Sequence, residues 1–135
     1  MPSPTAISST DLPPSLWVEV DLAALAHNLP QVQRLLSPAT SLMAVVKADG
    51  YGHGAVEAAQ AFVEAGAQYL GVSTVEEALA LREHSVEAPI LCFMPPLADQ
   101  VDHAVVHGIT VTVHAREQVA ALVRSAQRRG RKARC

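Results

Sequence analysis

Ala44-Val45-Val46-Lys47-Ala48-Asp49-Gly50-Tyr51-Gly52-His53-Gly54 is the stretch on which the fold turns. Leu42 to Val46 is a continuous apolar run, and Lys47 ends it in a charge. Continuous runs of this kind predict a strand buried on both faces, as in parallel sheets. Asp49 to Gly54 predicts a glycine-rich loop, with glycines that permit a tight turn and close approach of a ligand to the backbone. A lysine at the C-terminal end of a buried parallel strand points to where barrel active sites form. Burying an ammonium favours its neutral form, and a neutral amine is a nucleophile toward aldehydes and ketones. Position alone also fits a lysine whose stem packs while its ammonium stays wet. Tyr51 adds a hydroxyl and His53 a donor or acceptor. A helix starting near Gly54 presents free N–H groups at its positive end, which would suit a phosphate beside Lys47. The loop lacks the GK[ST] ending of a P-loop and by itself is weak evidence, a plain βα turn being the bland reading, but beside Lys47 it shifts the balance toward a ligand site.

Working outward, the same alternation recurs. Upstream, residues 17–20 predict a short strand, and Asp21 an N-cap. Leu22, Leu25, Leu29, Val32 and Leu36 then mark one helical face, which Pro30 should bend or break. Downstream, Ala55, Ala58, Ala59, Phe62 and Val63 mark a second helix, stopped by Gly66. Tyr69 to Ser73 predicts a strand, and Thr74-x-x-Glu77 a capping box opening a helix to about Glu83. Pro89 to Phe93 is the next strand, Asp99 to His107 a short helix, and Ile109 to Val113 another strand. Ala115 to Arg129 is the last helix, with Val119, Leu122, Val123 and Ala126 predicted inward. The six residues from Gly130 to Cys135 stand where a fifth strand should begin.

Strand ends therefore fall near Lys47, Ser73, Phe93 and Val113, spaced 26, 20 and 20 residues apart. Regular βα units imply right-handed crossovers and a parallel sheet. The fold class is α/β: four units are about the first half of a (β/α)8 TIM-type barrel, which needs about 250 residues. A doubly wound sheet is the rival, but no strand is followed by a GxGxxG turn. Half a barrel leaves open sheet edges, so the expected organisation is a disordered leader over residues 1–15, rich in Pro, Ser and Thr, then a truncated barrel over residues 16–135.

Composition excludes several function classes. Half of the 135 residues are hydrophobic and 17% are charged, which suits a globular core. No apolar run approaches a membrane span. The leader has no signal-peptide pattern, so the cytoplasm is the default compartment. Residues 1–123 carry four Lys/Arg against thirteen Asp/Glu, whereas residues 124–135 carry six Lys/Arg and no acid. Arg124, Arg128 and Arg129 suit the end of a helix, where cations meet the macrodipole. No aromatic platform or reader motif accompanies them, so a nucleic-acid partner is not expected. Cys92 lies in an apolar run and is expected as a buried small hydrophobe. The histidines form no HExxH or paired metal spacing, and no metal site is expected.

The run AVVKADGYGHG closely resembles the pyridoxal-phosphate attachment motif of alanine racemases. WVEVDLAALAHNL (17–29), YLGVSTVEEALALRE (69–83) and ITVTVHAREQVAAL (109–122) resemble further family segments in the same order. The resemblance implies a pyridoxal 5'-phosphate barrel followed by a β-rich domain, here absent, in a homodimer that interconverts L- and D-alanine for cell-wall peptidoglycan. It implies that Lys47 anchors the cofactor and serves as one of two acid/base groups, and that Tyr51 contacts the cofactor phosphate. No established role carries over to His53, which is expected as loop structure or at most as a support to the residues that contact the cofactor. The family's opposite-face base is a tyrosine matched by neither Tyr51 nor Tyr69, so this polypeptide alone should not racemise efficiently. The alternative is a non-catalytic pyridoxal-phosphate-binding barrel of vitamin B6 homeostasis, which would carry a strand-end lysine without the ADGYGHG continuation. A third possibility is a remnant without function of its own.

Overall fold

Every other residue of the central strands is branched or otherwise apolar, and those residues build the core. In the computed structural model, which describes residues 18–135, four strands form one parallel sheet. They are β1 (Met43–Val45), β2 (Tyr69–Val72), β3 (Ile90–Cys92) and β4 (Thr110–Val111). Ala44, Val46, Leu70, Val72, Ile90, Cys92, Ile109 and Val111 are all buried. They pack against Ala58 and Ala59 of α3 (Ala55–Glu64), Val75, Ala78 and Leu81 of α4 (Val75–Glu83), Ala104 and Val105 of α5 (Val101–Val106) and Leu122 of α6 (Arg116–Arg129). Burying a side chain such as Leu70, Leu81 or Ile90 contributes roughly 1.5–3 kcal/mol.

The strand order is β1-β2-β3-β4, with registers Val45↔Gly71, Gly71↔Leu91 and Leu91↔Thr110. Each crossover moves one strand further in the same direction. A doubly wound sheet reverses its strand order at a switch point; this sheet does not, and it is the progressive winding of a barrel. Arg134 forms a parallel bridge with Thr110, and Val111 N–H donates to Arg134 O at 3.1 Å. A fifth strand thus begins to pair where the sequence places it.

The strands are not buried on both faces, as the continuous apolar runs predict. Met43, Val45, Leu91 and Thr110 are only half-buried, and Tyr69 and Phe93 are exposed. These residues occupy the face away from the helices, which in a closed barrel packs against the opposite strands. Gly71 lies at the centre of this face. A Cβ there would stand 2.6 Å from Phe93 Cζ and 3.2 Å from Met43 Sδ. The bare backbone lets those two side chains lie across it.

Four further expectations need correction. Residues 18–20 form no strand, and Trp17, like the leader, lies outside the described residues. Helix α1 (Leu22–Gln33) begins as expected, with Ala24 N–H donating to Asp21 Oδ1 at 3.0 Å. It runs through Pro30 without a break and ends at Gln33. Pro30 forfeits one N–H, and one turn later the chain tightens into i→i−3 bonds, Leu35 N–H to Val32 O and Leu36 N–H to Gln33 O. Of the five residues predicted inward, only Leu29 is buried; Leu25 packs partly buried against the core, Leu22 and Val32 are exposed, and Leu36 lies beyond the end of the helix. On α6 the buried residues are Leu122 and Ser125, while Val119 and Val123 are exposed. The helix is rotated because Ser125 Oγ donates to Asp102 Oδ1 at 2.5 Å and draws its own side inward. Arg128 and Arg129 also converge on Asp102, at 2.8 and 2.7 Å. The three donors hold the Asp102 carboxyl well below the usual carboxylate range, the Ser125 hydroxyl foremost.

Candidate functional site

The chain leaves β1 at Val46 and immediately reverses hand. Segment α2 (Lys47–Gly52) is helical in its hydrogen bonding, yet Ala48, Asp49, Gly50 and Tyr51 all have φ between 50° and 62° with ψ between 32° and 52°. This is one turn of left-handed helix. Residues with a Cβ lose roughly 1–2 kcal/mol each in that region, so the turn must be held from outside. Gly50 N–H closes on Val46 O at 2.9 Å and Gly54 N–H on Asp49 O at 3.0 Å. His53 Nδ1 donates to Gly50 O at 2.8 Å and so helps close the turn. The glycine-rich stretch is therefore not a plain loop, a distinction of backbone hand to which spacing is blind.

The turn sets Lys47 and Tyr51 together. Lys47 is half-buried, and its Nζ lies 5.9 Å from the centroid of the exposed Tyr51 ring. One primary amine and one phenol thus share a space at the C-terminal end of the sheet. An aldehyde needs an amine and a phosphate ester needs a hydrogen-bond donor, so the pair fits pyridoxal phosphate chemically.

The phosphate seat suggested at the start of α3 does not exist in the expected form. Ala55 N–H donates to Asp49 Oδ1 at 2.9 Å. The Glu57 carboxylate closes over the same end, with Oε2 2.7 Å from the position of a Cβ on Gly54. Asp49 thus takes one N–H of the helix's positive end, and Glu57 adds negative charge to its first turn.

A third carboxylate does what the sequence did not disclose. The capping box of α4 forms as predicted, Glu77 N–H donating to Thr74 Oγ1 at 3.3 Å and Thr74 N–H to Glu77 Oε2 at 3.2 Å. The same carboxylate also accepts Ser73 N–H on Oε2 at 2.6 Å and Ala48 N–H on Oε1 at 2.8 Å. The Thr-x-x-Glu spacing signals the cap but not the reach to the turn after β1, 29 residues away.

Cys92 is buried, with Sγ donating to Ser73 O at 3.1 Å and to Met94 O at 3.2 Å, and burial pushes its thiol pKa up. Among the described residues no three His, Cys, Asp or Glu side chains converge as metal ligands, and no helix is long and apolar enough to cross a membrane. A cleft of about 450 Å³ lies between α1 and α3, lined by Leu22, Ala26, Glu57 and Ala61 among others, and Lys47 does not line it.

The alanine racemase N-terminal domain family matches residues 20–135. Among curated proteins, the chain is 49% identical to alanine racemase 1 of Oceanobacillus iheyensis over 119 residues, 87% of this chain and 31% of that one. It is 61% identical to the alanine racemase of a Nostoc species over 75 residues, 56% of this chain and 19% of that one. Among solved structures, alanine racemase of Clostridium difficile 630 superposes with a TM-score of 0.82 at 32% identity, over 84% of this chain and 30% of that one. That of Streptomyces coelicolor gives 0.79 at 39% identity, over 85% and 31%. The chain thus spans a third or less of the length of the relatives it matches.

Proposed function

The chain belongs to the alanine racemase family through its N-terminal barrel domain, and from that membership we propose that it carries the cofactor-anchoring half of a pyridoxal-phosphate-dependent alanine racemase. In this reading residues 16–135 are barrel, Lys47 forms the covalent link to pyridoxal 5'-phosphate, and Tyr51 donates its hydroxyl to the cofactor phosphate. When bound, the cofactor supplies an electron sink for charge developing at the substrate Cα. Lys47 Nζ takes or returns the Cα proton on one face. The whole enzyme is a cytoplasmic homodimer that supplies D-alanine for peptidoglycan.

The observation that carries this reading is the left-handed turn. Backbone strain at a strand end, held by surrounding hydrogen bonds, characterises functional sites, and here it brings an amine and a phenol to 5.9 Å. A plain βα turn has no need of it.

Racemisation needs a base on each face of Cα. The chain has two tyrosines. Tyr51 shares Lys47's side, and Tyr69 opens β2, opposite Met43 at the far end of the sheet. Four residues of strand separate Tyr69 from the level of Lys47, about 13 Å at the rise of a parallel strand. With the second base read as a tyrosine, as the family resemblance implies, it comes from elsewhere in the enzyme, and this chain alone is expected not to racemise alanine at enzymatic rates.

The test is direct. The protein is mixed with pyridoxal phosphate and reduced with borohydride, and the modified lysine is mapped by mass spectrometry. Label on Lys47 is expected. Label confined to Lys132, or none on a chain whose circular dichroism shows it folded, refutes the assignment. Alanine racemisation assayed in parallel should stay at background; turnover by this chain would show that a second base is present in it.

A further inference from the structure

We infer that Glu77 is a positioning residue for Lys47, replacing with one carboxylate the rung of β-ladder that the lysine turn removes. The inference rests on the reading of Lys47 as the cofactor anchor. In the β1–β2 ladder, Val46 N–H donates to Gly71 O at 2.9 Å. Parallel pairing continued by one step would join Ala48 N–H to Ser73 O and Ser73 N–H to Val46 O. Neither bond forms. Val46 O accepts Gly50 N–H, closing the left-handed turn, and Ser73 O accepts Met94 N–H at 3.0 Å and the Cys92 thiol. The two N–H groups left over, those of Ala48 and Ser73, both donate to Glu77, on Oε1 and Oε2 respectively.

The chain can therefore leave the sheet at Lys47 without stranding a backbone donor, and β1 and β2 stay tied at the end that bears the amine. Hydrogen bonds to an ionised acceptor are shorter and stronger than neutral ones. Being anchored in the first turn of α4, where negative charge is favoured, the carboxylate is itself fixed. The bond to Ala48, the residue after Lys47, fixes the peptide from which the lysine side chain departs. Capping α4 requires only the bonds within residues 73–77; the bond to Ala48 is additional and is made to the site.

Three variants of the full chain separate the two roles. Glu77→Gln replaces one acceptor oxygen by an amide donor. Glu77→Asp keeps a charge at the α4 N-terminus but is one methylene too short to span Ala48 and Ser73 together. Thr74→Ala removes the other half of the capping box and touches nothing near Lys47. Borohydride-trapped pyridoxal phosphate labelling at Lys47, corrected for the folded fraction, should fall about tenfold in both Glu77 variants, the equivalent of one hydrogen bond to a charged group, and less than about twofold in Thr74→Ala. Amide hydrogen exchange at Ala48 should accelerate in the Glu77 variants and not in Thr74→Ala. Labelling in Glu77→Asp and Glu77→Gln equal to that in Thr74→Ala overturns the inference. If the wild type leaves Lys47 unlabelled, the anchor reading fails, and Ala48 exchange decides alone: faster exchange in the Glu77 variants supports the brace, and unchanged exchange overturns it.

Discussion

Two reciprocal substitutions in the Lys47–Gly52 turn test its hand. In a right-handed helix, Gly→Ala stabilises and Ala→Gly destabilises by roughly 0.5–1 kcal/mol. In the left-handed turn both signs invert. Gly50 has φ 62°, and a Cβ added there meets Ala55 N, Ala55 Cα and Ala58 Cβ each at 3.4 Å, which is ordinary contact. The cost of Gly50→Ala is therefore conformational: roughly 1–2 kcal/mol for a Cβ in this region, less up to about 1 kcal/mol from the reduced freedom of the unfolded chain. A net loss of about 1 kcal/mol follows. Ala48, at φ 50°, already carries that penalty. Ala48→Gly relieves it and loses part of the gain to unfolded-state entropy, so the variant should be more stable by about 0.5 kcal/mol. Urea denaturation followed by far-UV circular dichroism reads both, the midpoint moving while the slope stays constant. A more stable Gly50→Ala together with a less stable Ala48→Gly would falsify the left-handed assignment, and with it the observation on which the functional reading stands.

Two further predictions concern the scaffold. Leu122→Ala should cost about 3 kcal/mol as a core truncation, while Val119→Ala and Val123→Ala, on the exposed side of α6, should each stay within about 0.5 kcal/mol; equal losses at all three in urea melts would contradict the rotation of that helix. Asp102 has a folded pKa depressed below its unfolded value, so its contribution is fully present above the unfolded pKa of about 4 and is lost as pH falls through the acid range below it. Stability measured from pH 6 downward should thus fall more steeply in the wild type than in Asp102→Asn, and parallel curves would remove Asp102 from the account of how α6 is held.

The sequence by itself determined much of this protein. The period of the apolar residues located four strands and the helices between them, since periodicity is a local property of the chain. Asp21 and Thr74-x-x-Glu77 marked helix starts, because a cap and the N–H groups it satisfies lie within three residues of each other. AVVKADGYGHG singled out Lys47 and Tyr51 as candidates: strand-end position left the lysine open to a snorkelling role, and the glycine–tyrosine loop together with the family resemblance raised it above that. The tertiary structure decided what depends on partners distant in sequence. Strand order distinguished progressive winding from a doubly wound sheet, which identical βα periods cannot do. One-sided burial of the strands followed from which face the helices cover. The Ser125–Asp102 contact, across 23 residues, turned α6 away from its most apolar side. The lysine turn, finally, is closed by bonds within residues 46–54 but is tied to the next βα unit only by a carboxylate 29 residues away, a support that no local pattern encodes because its partner is brought up by the packing of α4.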